Sequence, residues 1–327
     1  MASGPDSTYG STASLVEVHG LVDVEYRHQP DQPDVFDVHH AFLYFQSEPV
    51  QHLAVRLQIE MEHGAGKDGK FLVDTAEISY FLHDALTVAA GKSYVPVGEE
   101  NRRHRSTLSR LVSRPLASQA LLADEWADIG LWASGKVRLA GDLVVTYDAA
   151  VLQGLRALSG EEDVDLQEQD NNSNKTLMAG VHLRWRGLLL GGSGAYGKYD
   201  PAARLTYAPL VLSATYERHN VEARVEYLTR TGDHQLDPTA PVIRAVDRGL
   251  YAQLCYQFPL GRWGYSIGPV ARFDWLQMKQ PVPRGDRRLA LGVNWRVFEF
   301  LRIKGEYNRQ LKDPGDTWIL AQVAADF

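Results

Sequence analysis

Cysteine occurs once in the 327 residues, at Cys255, so the chain can build neither a disulfide framework nor a thiolate zinc site. No run of about eighteen apolar residues exists, which removes a transmembrane helix but not a barrel, whose strands cross lipid without such runs. Met1 to Ser11 are small and polar, with no basic start followed by an apolar stretch, so no export signal is expected in this chain and residues 1–13 read as a flexible tail. A basic excess is also missing. The formal charge is −7, which speaks against a nucleic-acid partner. With 44% hydrophobic and 10% aromatic residues and a mean hydropathy of −0.28, the chain is not disordered either.

What is present is a period of two. Leu53, Val55, Leu57, Ile59 and Met61 alternate with His52, Arg56, Gln58, Glu60 and Glu62. Val221, Ala223, Val225 and Tyr227 oppose Glu222, Arg224 and Glu226. Leu289, Leu291, Val293, Trp295 and Val297 oppose Arg288, Asn294 and Arg296. Such alternation makes strands with one apolar and one wet face. Runs are predicted near 14–27, 35–46, 51–63, 70–81, 84–95, 126–134, 139–150 and 175–186, then near 187–198, 203–218, 220–230, 247–258, 264–276, 287–297, 300–309 and 318–327. They number about sixteen, at the length a tilted strand needs to cross a bilayer.

The connections alternate in length. Ser47–Val50, His83–Asp84, Arg186–Gly187, His219–Asn220, Pro259–Trp263 and Phe298–Glu299 are short, whereas 96–125, 151–174, 231–246 and 277–286 are long. One rim of short turns and one of long loops is the pattern of a transmembrane antiparallel β-barrel, with periplasmic turns and extracellular loops, over residues 14–327. The wet face carries Arg56, Glu60, Arg184, Glu226, Arg272, Asp274, Arg296 and Lys304. Burying these unpaired would be prohibitive. They are therefore expected to line a water-filled lumen while the apolar face meets lipid. Aromatics on the apolar parity, including Tyr26, Phe36, Tyr44, Tyr80, Trp185 and Tyr307, fall near strand ends as interfacial girdles do. A propeller lacks support, since no blade-length repeat occurs.

The last strand alternates Ile319, Ala321, Val323, Ala325 and ends in Phe327. It resembles the carboxy-terminal strand of Gram-negative outer-membrane proteins, whose final Phe is an assembly signal. Phe36 to Phe45 and Gly91 to Asn101 resemble segments of sixteen-stranded porins of the phosphate-selective type. That resemblance implies a homotrimer, a third loop folded into the lumen and passive diffusion of small hydrophilic solutes. The lysine-rich cluster of those porins has few counterparts here.

The third long connection is the candidate site. Arg102, Arg103, Arg105 and Arg110, folded inward, would project positive charge into the pore. With Arg56, Arg184, Arg224, Arg272 and Arg296 they would form a basic track preferring anions such as phosphate or carboxylate. The competing placement has the loop over the outer rim, binding lipopolysaccharide phosphates or simply solvated. Glu161, Glu162, Asp163, Asp165, Glu168 and Asp170 read as a solvated acidic loop. Gly192 to Gly197 spells G-x-G-x-x-G, but Lys198-Tyr199-Asp200-Pro201 cannot open a helix to hold a pyrophosphate, so it reads as a Gly-rich strand where the barrel bends or a loop approaches. His39 and His40, adjacent on a strand, should point to opposite faces and so chelate nothing together, and no cofactor or metal is expected. A sleeve around a partner such as an outer-membrane cytochrome is the alternative, and an outer-membrane lipase or protease a weaker one. No nucleophile context supports an enzyme.

Overall fold

The computed structural model describes residues 15–65, 70–103, 105–123, 126–157, 164–165, 172–235, 240–261, 265–279, 283–312 and 316–327. Sixteen long strands run antiparallel: β1 Val16–His28, β2 His40–Val50, β3 Leu53–Glu62, β4 Lys70–His83, β5 Leu86–Tyr94, β6 Ala127–Arg138, β7 Val144–Leu152 and β8 Thr176–Trp185. They continue as β9 Leu188–Lys198, β10 Thr206–Arg218, β11 Val221–His234, β12 Ile243–Tyr256, β13 Tyr265–Met278, β14 Arg284–Phe298, β15 Leu301–Gln310 and β16 Thr317–Asp326. Each pairs with the next, and β1 pairs with β16 from Leu21↔Asp326 to His28↔Ile319, closing the cylinder. Closure leaves no sheet edge, which lipid requires. Beyond β16, the Phe327 N–H donates to the Gly20 carbonyl at 2.9 Å and the Gly20 N–H to the Phe327 carbonyl at 2.8 Å. The Phe327 ring covers the place a Cβ on Gly20 would take, so a side chain there would displace the ring.

Polarity is inverted relative to a protein folded in water. Leu131, Leu177, Val181, Leu212, Leu254 and Val323 are exposed, whereas Glu60, Glu226, Asp274 and Lys304 are all at most 2% exposed. Apolar residues out and charged residues in is the arrangement of a barrel whose outer solvent is hydrocarbon. The tight turns gather at one rim. At Arg186–Gly187 and His219–Asn220 both residues have positive φ, the backbone of two-residue hairpins whose twist matches the strands.

Three expectations shift. The seventh expected run, 139–150, begins only at Val144, because residues 139–143 form a turn closed by the Leu139 N–H on the Leu143 carbonyl at 2.9 Å. The run 35–46 is not continuous: it breaks at residues 38–39, and only the short piece Val35–Asp37 precedes β2. That break inverts the parity. Phe36 is outward and 77% exposed, but Phe42 is buried and Tyr44 faces inward, where Arg105 lies over both rings at 5.7 and 5.6 Å. Tyr44 therefore belongs to the lumen and not to a girdle. His39 and His40 lie at the break too, with ring centroids 4.2 Å apart, so alternation does not separate them. The tail 1–13 lies outside the described residues, as does most of the acidic loop.

A loop bound across the lumen as the candidate functional site

The segment from Val95 to Trp126 leaves β5 and returns to β6 through the inside of the barrel. Its two roots are tied together by one side chain: Asn101 Nδ2 donates to the Val95 carbonyl at 2.6 Å and to the Trp126 carbonyl at 2.9 Å. Gly98, at φ +78, makes the turn into α1, Glu99–Arg102. After a stretch without regular structure, α2, Leu116–Leu121, carries the chain back.

The returning half is apolar. Leu116, Ala117, Leu121, Leu122 and Trp126 are buried against Leu152, Met178, Tyr207, Val211, Leu228 and Leu276 on the inner wall. Trp126 stands edge-on to Tyr207 with centroids 6.0 Å apart. The Tyr207 hydroxyl donates to the Leu121 carbonyl at 3.0 Å and accepts from the Ala123 N–H at 3.1 Å. Gly249 makes room, since a Cβ there would fall 2.5 Å from that of Ala117. Tyr199, just past β9, joins the cluster with its hydroxyl donated to the Asp233 carbonyl, and burial pushes its pKa up to about 12.

The outgoing half is held by charge. A chain without helix or strand still has to satisfy its N–H and C=O groups, and here wall side chains do it. Glu226 accepts the Glu99 N–H at 2.7 Å, and Glu306 accepts those of Val112 and Ser113 at 2.6 and 2.9 Å. Arg272 donates to the Ser113 carbonyl at 2.7 Å and to that of Arg114 at 3.2 Å. Lys304 donates to the Ser106 carbonyl and to Ser109 Oγ, and Ser193 Oγ accepts the Gly98 N–H at 3.0 Å. Acids take the amides and bases take the carbonyls. Leu111 adds one apolar foothold against Cys255, Val270 and Ala290.

The nine arginines thus do not form one track. Arg224 and Arg272 are buried and paired: Arg224 with Glu100 at 3.3 Å and Glu222 at 3.0 Å, Arg272 with Asp274 at 3.1 Å. Their expected projection into open lumen is corrected, because the loop covers them and turns them into anchors. Arg102 pairs with Asp148, Arg103 with Glu217 at 2.7 Å, Arg110 with Glu222 at 2.7 Å and Arg56 with Glu77 at 3.4 Å. Arg105, Arg184 and Arg296 have no ion pair among the described residues.

No family model matches this chain, and no curated protein does. Solved structures do. An anion-selective porin from Comamonas acidovorans superposes with a TM-score of 0.66 at 11% identity, over 96% of this chain and all of that one. OmpT lacking loop L8, an outer-membrane protein of Vibrio cholerae, gives 0.66 at 10% identity over 96% and 100%. The outer-membrane channel DcaP of Acinetobacter baumannii gives 0.62 at 9% over 96% and 97%. The fold is that of the outer-membrane porins.

Within this porin fold the bound loop separates two mouths. At the short-turn rim a cavity of about 500 Å³ is lined by Arg102, Arg103, Lys136 and Arg184, with His182 and a single carboxylate, Glu99. A second, of about 330 Å³, holds Arg110, Arg218 and Arg296 against Glu217 and Glu222. At the long-loop rim a cavity of about 550 Å³ contains His39, His40 and His63 together with Glu25, Glu62 and Asp316 and with Arg27, Arg114 and Arg288. Sequence reading missed both the apolar inner patch and Glu306. The signal for the patch was there: Leu228 and Leu276 sit on the wet parity, mid-way along β11 and near the long-loop end of β13.

Proposed function

We propose that the chain is a channel of the bacterial outer membrane, a porin that lets small hydrophilic solutes diffuse passively and favours anions such as carboxylates or phosphate. The observation that carries this reading is the cavity at the short-turn rim beside the loop bound across the lumen: Lys136 and Arg184 line it with no ion pair among the described residues, next to Arg102 and Arg103, which are paired with Asp148 and Glu217. Clustered guanidinium groups at close quarters attract anions and suit planar or tetrahedral oxyanions. The phosphate-selective type is one form of this proposal, and Arg102, Arg103, Arg105, Arg110, Arg56, Arg184 and Arg296 are its candidate selectivity residues. Phe327 is its candidate assembly signal. A homotrimer embedded in lipid and lipopolysaccharide fits the same reading, and one neighbouring structure is described as a trimer form. A sleeve for a guest protein has less room, because the loop takes hold of β2, β7, β9, β11, β13 and β15. No catalysis is proposed.

The test is the purified chain in a planar bilayer under a salt gradient. Stable ohmic steps with a reversal potential on the anion side are expected. A cation-side potential overturns the selectivity while leaving the channel, and absence of any conductance overturns the channel itself.

A further inference from the structure

The break in the strand at residues 38–39 does more than invert parity. It lets Asp37, His39 and His63 converge at the long-loop mouth. His63 Nδ1 lies 2.6 Å from Asp37 Oδ2, and His39 Nδ1 lies 3.3 Å from the same oxygen. One donor atom from each residue falls within 4.8 Å of the others. Four-coordinate zinc holds nitrogen and oxygen ligands at about 2.0–2.2 Å, which places neighbouring ligands roughly 3.3 Å apart, so these atoms need only small shifts to close on one ion.

The backbone is set for it. His63 and Gly64 have φ of 50 and 62, an unfavourable pair for which only the second residue is suited. They are locked there by the His63 N–H on the His39 carbonyl at 3.1 Å and the Gly64 N–H on the Val38 carbonyl at 2.9 Å. The two histidine rings meet edge-on with centroids 5.0 Å apart. Asp37 and His39 are about one-third exposed and His63 about half, and both histidines line the 550 Å³ cavity, so an ion from solvent reaches them directly. A second trio, His40, Glu60 and Glu62, stands immediately deeper.

We propose that Asp37, His39 and His63 form a binding site for a divalent transition-metal ion of the zinc class at the long-loop mouth of the lumen. Two imidazoles and one carboxylate leave a fourth position for water, and imidazole ligands select such metals over calcium or magnesium. The site stands on its own geometry and does not depend on the channel reading.

The experiment titrates zinc chloride into the full chain folded in detergent micelles, against a chromophoric zinc indicator. Saturable binding is expected, undisturbed by millimolar calcium or magnesium. His63→Ala and His39→Ala should each weaken it at least about tenfold. Asp37→Asn, which keeps the shape and a hydrogen-bond acceptor, should weaken it too and serves if an alanine variant fails to fold, folding being read from heat-modifiable migration in gels. His19→Ala, near the opposite rim, should bind as the parent does. Absence of saturable binding by the parent, parental binding by folded variants of the trio, or an equal loss in His19→Ala would each overturn the site.

Discussion

Residues 98–115 and 116–126 belong to one loop and lie in one lumen, yet the first stretch is held by wall charges and the second by packed apolar side chains. In the first, Glu226, Glu306, Arg272 and Lys304 supply the hydrogen bonds that a strand partner would otherwise give. In the second, Leu121, Leu122 and Trp126 fill a dry patch beside Tyr207 and Leu228. The difference teaches why this barrel contains fully buried charge. Glu226, Glu306, Arg272 and Lys304 are each matched by loop backbone, so part of the cost of their desolvation is offset locally. Packing, in contrast, is indifferent to polarity at the mouth and fixes only position.

The largest effect should come from the apolar half. Trp126→Ala removes the biggest side chain of the patch and should cost about 3–5 kcal/mol of stability, measured by urea unfolding in detergent or vesicles. Single-channel conductance should rise, as α2 loses its seat while the outgoing half stays tethered. A smaller loss is expected for Glu306→Ala, about 2 kcal/mol, because the Val112 and Ser113 amides lose their acceptor but water can reach part of the gap. Its mark should be flicker of the open current with little change in mean conductance. If both variants gave the same conductance change, the two halves would be one cooperative unit and the contrast would fail.

Much of this frame is legible in the amino-acid order. Alternation from Leu53 to Met61 or from Leu289 to Val297 can be satisfied only by strands, and the rhythm of short and long connections orders them into a cylinder. What alternation cannot carry is a change of phase. One irregular stretch at residues 38–39 sends Tyr44 inward and gathers His39 with Asp37, and nothing in the spacing of Phe36 and Tyr44 announces it. Nor does a charged inner residue declare its partner. Arg184 and Arg272 look alike in sequence, but the loop covers Arg272 and leaves Arg184 at a cavity, a difference set by contacts 159 residues apart in the chain.

That pair yields the next test. Arg184→Glu should lower the anion-to-cation permeability ratio roughly twofold or more with unfolding unchanged, since the side chain lines the cationic cavity and has no ion pair among the described residues. Arg272→Gln should do the reverse, weakening the loop while moving selectivity little, because its charge is spent on Asp274 and two carbonyls. Equal selectivity shifts in the two would restore a continuous basic track.

The smallest expected change in stability belongs to Arg105, which neither half of the loop anchors by an ion pair. Its guanidinium lies over Phe42 and Tyr44, a contact worth about 0.5–1 kcal/mol at a partly solvated site. Arg105→Ala should therefore unfold almost with the parent. Selectivity should still fall, because Arg105 has no ion pair among the described residues to offset its field, whereas Arg102 and Arg103 contribute only what Asp148 and Glu217 leave over. The reversal potential of Arg105→Ala compared with that of Arg103→Ala decides between these: a larger shift for Arg105 means that unpaired charge sets the preference, and a larger shift for Arg103 means that position in the cavity does.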